Sequence, residues 1–207
     1  MTDGAQLTVL FAHGNAEDLG DGVPFVEVYA RLGVSVLAIE YPGYGESSGR
    51  PTEEGTYRAA HAAYRHLVER MGTPPKAIVA HGRSLGGAVA VDLASRVPVG
   101  GLVIESSFVS AYRVVTRLPI LPIDQFRSLA KLRSVTAPVL VMHGEADDVI
   151  PSWHGHRLYE AIPEARRYRL WVEGASHHDL AAVGARTYWR ALADFLGVVA
   201  ASPQTPA

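Results

Sequence analysis

The chain has 207 residues, 48% of them hydrophobic and 19% charged, with a formal net charge of −2. That size and balance suit a single globular domain able to bury a sizeable core, and they offer neither the basic footprint of a nucleic-acid binder nor an acidic tail. The absence of cysteine excludes disulfides, thiolate metal sites and a cysteine nucleophile.

The first residues, "MTDGAQL", lack the charged and apolar regions of a signal peptide. No apolar run approaches the ~20 residues of a membrane helix. A cytoplasmic protein without a membrane anchor is the expectation. "LTVLFAHG" (7–14) then reads as a buried strand and "VPFVEVYARLG" (23–33) as a helix closed by Gly33. "VSVLAIEYP" (34–42) is a second strand. "EEGTYRAAHAAYRHLVERMG" (53–72) has apolar positions at three-and-four spacing and Gly72 as its stop, which predicts a helix. "KAIVAHG" (76–82) is a strand, "SLGGAVAVDLASRV" (84–97) a helix and "GLVIESS" (101–107) a strand. "APVLVMHG" (137–144), "WHGHRLYEAI" (153–162), "RYRLWVEG" (167–174) and "DLAAVGARTYWRALADFL" (179–196) continue as strand, helix, strand and helix. Residues 1–198 are expected to form one domain, and 199–207 a disordered tail.

Strands that are apolar throughout and alternate with helices predict a doubly wound α/β fold around a mostly parallel sheet. Ligands in such sheets sit beyond the carboxyl ends of the strands. Four of those ends carry unusual residues: "HGNAED" (13–18), "HGRSLGG" (81–87), "HGEADDVIP" (143–151) and "EGASHHD" (173–179). Together they supply a serine, paired acids and histidines, in the order Ser, Asp, His.

"GRSLG" is a full G-x-S-x-G match, with a strand before it and a helix after it. A turn this tight forces Ser84 toward strained backbone angles, and bulk two residues to either side would collide with the adjoining strand and helix. Ser84 would stand alone at a helix start, where N–H groups favour a developing anion. A hydroxyl needs a base, and the base needs an orienting carboxylate. His177 and His178 are the candidate bases. His177 is chosen because it directly follows the turn, whereas His178 adjoins Asp179, the expected helix cap. The acid is Asp147 or Asp148, with Asp147 preferred and Glu105 ranked below it. His61, His66, His154 and His156 lie on helices with no acid placed to orient them. Leu85, following the serine, offers one backbone N–H to an oxyanion, and Asn15 the other, with Ala16 next best. No metal is expected, because no pair of histidines shows a zinc spacing with a third ligand.

The stretches "HGNAEDLGD", "EYPGYGESSGRP", "GRSLGGAVAVDLASR", "PVLVMHGEADDVIP" and "WVEGASHHDL" occur in order across residues 13 to about 180. In that set the chain resembles an α/β-hydrolase. Within that superfamily it is similar to the α/β-hydrolase-domain depalmitoylases and their bacterial relatives. The resemblance implies Ser84 as nucleophile, Asp147 as acid and His177 as base, with Asn15 and Leu85 lining the oxyanion hole. It implies no metal or organic cofactor. The sequence departs from the pattern at its start, because two strands usually precede "HGN". A minimal fold lacking them would leave "VSVLAIEY" as a sheet edge, a pairing liability. Either a second copy pairs there to make a homodimer, or residues 1–6 cover it, or the true start lies upstream. A monomer at high concentration in sedimentation would rule out the dimer. No cysteine cluster is available for lipidation, so the animal relatives' membrane role is not expected.

The apolar, proline-rich segment 107–126 occupies a position where a small lid often forms, with Phe108, Tyr112, Leu118 and Ile120 as candidates to line an acyl pocket. The expected function is hydrolysis of a small carboxylic ester or thioester through an acyl-enzyme. The alternatives are an amide hydrolase, an acyltransferase or perhydrolase on the same triad, or a non-catalytic binding protein on a hydrolase scaffold.

Overall fold

The computed structural model describes residues 6–111 and 125–202. Among these, β1 (Thr8–Ala12), β2 (Ser35–Ile39), β3 (Ile78–Arg83), β4 (Gly101–Glu105), β5 (Val139–Gly144) and β6 (Arg167–Val172) form one sheet. The order is β2-β1-β3-β4-β5-β6, and every neighbouring pair is parallel. All the carboxyl ends therefore lie along one rim. β2 is an edge strand among the described residues, the position that the resemblance implied for it.

The alternation of side chains along each strand divides the core in two. Leu10, Ala12, Ile78, Ala80, Leu102, Ile104, Val139 and Val141 face one layer. That layer holds α2 (Glu53–Arg65), α3 (Leu85–Arg96), α4 (Ser128–Leu132) and α5 (Trp153–Glu160). Val9, Phe11, Val79, Val103, Leu140 and Met142 face the opposite layer, with α1 (Val23–Arg31) and α6 (Leu180–Ala201). β1, β4 and β5 are buried along their whole length, which explains their unbroken apolar sequences.

Local chemistry sets the helix ends. Thr52 accepts the Gly55 N–H at 3.0 Å, and Glu53 and Glu54 occupy the first turn of α2, satisfying and complementing its positive end. The expected helix over 53–72 becomes a π-turn at His66–Arg70, followed by Gly72 at φ +67°. Two expectations need correction at the C-terminus. The last helix runs to Ala201, not Leu196, with Val199 buried in the core, so the expected tail from 199 starts too early. Asp179 places no side-chain cap on that helix; its Oδ1 turns back to accept the Ser176 N–H at 2.6 Å. Most of the expected lid, including Tyr112, Leu118 and Ile120, lies outside the described residues. No described helix is long and apolar enough to cross a membrane.

Candidate active site

β3 ends at Arg83, and α3 begins at Leu85. Ser84 is the whole connection, at φ 53° and ψ −117°. A non-glycine residue in that region stores ~1–3 kcal/mol of strain and persists only where its surroundings enforce it. Here they do. The Ser84 N–H donates to Glu105 O at 2.8 Å, and the Ser84 carbonyl accepts from Gly87 N–H at 3.0 Å and Ser107 Oγ at 2.8 Å. The flanking glycines follow from contact distances. A Cβ on Gly82 would lie 1.9 Å from Gly86 O, and one on Gly86 would lie 2.0 Å from Ala12 O.

His177 and Asp147 come from the loops after β6 and β5. His177 Nε2 lies 3.1 Å from Ser84 Oγ, and its Nδ1 lies 2.8 Å from Asp147 Oδ2. With Nδ1–H donating to the carboxylate, Nε2 is left to accept the serine hydroxyl proton. The three side chains are buried, whereas His178 and Asp148 are exposed. Burial thus separates each nominated residue from its sequence neighbour. His178 instead packs edge-on against His177, with ring centroids 5.0 Å apart.

Asp147 is held by its own turn. Its Oδ1 accepts the N–H groups of Val149 at 3.0 Å and Ile150 at 2.7 Å. Burial works to raise its pKa, but hydrogen bonding from His143, His177 and the Ile150 N–H outweighs burial and holds the carboxyl well below the usual carboxylate range. Glu105, the lower-ranked acid, faces other partners. Its Oε2 lies 3.1 Å from His81 Nε2 and accepts the Tyr188 hydroxyl at 2.7 Å. The Tyr29 hydroxyl lies 2.7 Å from His81 Nδ1, and burial raises the pKa of both tyrosines. Both phenols therefore stay protonated.

Leu85 opens α3, so its N–H has no intrahelical acceptor. Asn15 lies in the loop after β1, where its Oδ1 accepts the Tyr44 hydroxyl at 2.5 Å and Ala16 beside it takes φ 61°. That loop is pinned by Glu40, which reaches His13 Nε2 at 2.7 Å and accepts the Leu19 N–H at 3.2 Å. A cleft of about 460 Å³ opens beside His177, with Asn15, Glu17, Arg83, His178 and Leu180 among its walls. Phe108 is buried in the core against Phe126, with ring centroids 6.5 Å apart.

Sequence reasoning passed over several residues that shape this rim. His143, Glu40 and Arg83 lie within the flagged motifs, and their charge or ring at a strand end was the available signal. The expectation that no acid orients the helix histidines fails for His156, whose Nε2 lies 3.2 Å from Glu145; His61 Nε2 lies 3.5 Å from Asp92 Oδ2 without a hydrogen bond between them.

The family model of the Alpha/beta hydrolase family matches residues 9–127. Alpha/beta hydrolase domain-containing protein 17C of Xenopus tropicalis is 41% identical over 181 residues, covering 86% of this chain and 58% of that protein. The 17B protein of Homo sapiens is 37% identical over 183 residues, covering 87% and 63% respectively. The chain therefore spans less than two thirds of the length of these curated relatives. Among solved structures, an esterase of Pyrococcus furiosus aligns with a TM-score of 0.80 at 21% identity, covering 95% of this chain and 84% of that one. A monoacylglycerol lipase of Paleococcus ferrophilus aligns at 0.72 and 19% identity, covering 93% and 94%. At such identities the likeness speaks to the fold alone.

Proposed function

The chain belongs to the alpha/beta hydrolase family, and from that premise we propose that it is a serine hydrolase cleaving carboxylic esters or thioesters through an acyl-enzyme. One observation carries the reading: Ser84 Oγ, His177 and Asp147 stand in an unbroken hydrogen-bonded row, at 3.1 and 2.8 Å.

His177 Nε2 takes the hydroxyl proton as Ser84 Oγ bonds to the substrate carbonyl carbon. The carbonyl π electrons move to oxygen, where the N–H groups of Leu85 and Asn15 are the donors. Collapse of the tetrahedral intermediate breaks the bond to the alcohol or thiol, which leaves with the proton from His177. Water then repeats the sequence on the acyl-serine and restores the free hydroxyl. Asp147 keeps the imidazole in the tautomer this needs and stabilises the imidazolium between steps. The depressed pKa of Asp147 supports that part, since it must stay ionised throughout.

The test is covalent labelling with a fluorophosphonate, followed by hydrolysis of p-nitrophenyl esters and acyl-thioesters. Ser84 should carry the adduct, and Ser84→Ala should carry none. An unlabelled parent, or a labelled Ser84→Ala variant, would sink the assignment.

A further inference from the structure

Arg83 precedes the proposed nucleophile, and only 12% of its side chain is exposed. A cation so placed needs compensating charge and hydrogen bonds. Its partners come from three different strand ends. Nη1 donates to Glu17 Oε1 in the loop after β1. Nη2 donates to the backbone carbonyl of His177 at 3.2 Å. Nε lies 3.8 Å from Glu105 Oε1, on the residue paired with Arg83 across β3 and β4. Glu17 extends the path, because its Oε2 accepts the Gly14 N–H at 2.7 Å.

We infer that Arg83 is a positioning residue: with Glu17 it ties the loop bearing His177 and the loop bearing Asn15 to the strand that presents Ser84. The inference rests on the serine-hydrolase reading above for its catalytic meaning. The Arg83 guanidinium bonds to Glu17 and to the His177 carbonyl, and it acts on the site through the His177 backbone. Glu105 gives the guanidinium a fixed base, being 1% exposed and already bonded to His81 and Tyr188. The residue type matters. A guanidinium offers five N–H donors in a rigid plane and can serve separate acceptors at once, whereas a lysine ammonium is a compact point charge on a flexible stem. Without the tie, each loop keeps its own turn but loses its register against the other. Misplacing a reacting group by about 1 Å can cost ~100-fold in rate.

The experiment compares the parent chain with Arg83→Lys, Arg83→Gln, Glu17→Gln and the Arg83→Gln/Glu17→Gln double variant. It has two readouts: the rate constant for fluorophosphonate labelling of Ser84, and amide hydrogen exchange resolved by peptide. Arg83→Lys is expected to label about 10- to 100-fold more slowly. Exchange should rise together in residues 14–19 and 173–179 and stay at the parent level in β1, β3 and β4. The double variant should match Arg83→Gln alone, because both changes cut one path. Labelling within about twofold of the parent, or exchange raised in only one loop or throughout the sheet, overturns the inference, as does simple additivity. If Arg83→Lys fails to fold, Glu17→Gln, at the more exposed end of the path, must show the same paired loosening or the inference falls. A parent that takes no label defeats the serine-hydrolase reading, and the exchange readout still decides whether Arg83 couples the two loops.

Discussion

His143 Nε2 stands 3.3 Å from Asp147 Oδ2, the same oxygen that receives the His177 imidazole. That Nε2 also lies 2.8 Å from Ile150 O, closing the turn that carries the carboxylate. The acid is thus gripped from its own strand and its own loop before His177 is counted.

The depressed pKa of Asp147 makes stability depend on pH with a definite sign. The folded chain prefers the carboxylate more than the unfolded chain does, whose Asp titrates near 3.9. The resulting stabilisation is fully present above that value and is lost as pH falls toward the lower folded pKa. Urea midpoints of the parent and Asp147→Asn should differ more at pH 7 than at pH 3. An equal difference at both would contradict the sign.

The two neighbouring histidines should separate sharply in kcat. His177→Ala removes the proposed base, and a loss of ~10³-fold or more is expected. His178 is exposed, so His178→Ala should stay within a few-fold of the parent. Asp147→Asn preserves the shape but lets Nδ1 lose its acceptor, with an expected fall of about 10⁴. Steady-state kinetics on a p-nitrophenyl ester would order the three.

Glycine substitutions should split by what surrounds them. Gly86→Ala drives a Cβ into the Ala12 carbonyl, and overpacking against backbone should cost about 3 kcal/mol or more. Gly197 sits exposed on α6 with nothing within 4 Å of an added Cβ. Gly197→Ala should therefore gain ~0.5–1 kcal/mol from helix propensity. Denaturant titration of both variants tests the contrast.

Asp92 is a buried carboxylate outside the site. It lies 2.7 Å from Lys131 Nζ on α4 and 3.0 Å from Arg96 Nε. Asp92→Ala would leave Lys131, 23% exposed, without this partner, at a cost of about 3 kcal/mol. The Arg96 side chain is 60% exposed, so Arg96→Ala should cost under ~1 kcal/mol. Thermal and urea melts of the two variants would show whether burial sets the difference.

The strand pattern and the G-x-S-x-G turn were legible because both are local. Apolar runs such as "TVLFA" and "VLVMHG" show burial on both faces, and the glycines around Ser84 show a turn with no room for Cβ atoms. The helix limits were less legible. Nothing local to "GVVAA" says that Val199 has a core site to fill, and Asp179 looks like a cap until Ser176 competes for its carboxylate.

By itself, the sequence determined the alternating order of strands and helices, the turn at Ser84, and the short set of histidines and acids at the strand ends. Tertiary structure alone decided which of each neighbouring pair is buried. His177 and Asp147 are turned inward while His178 and Asp148 face water, and Arg83 bridges residues 66 and 94 positions away. The physical reason is range. Turn chemistry and apolar periodicity act over a few residues, whereas burial and hydrogen-bond partners are set by strands that meet only once the parallel sheet has aligned their ends.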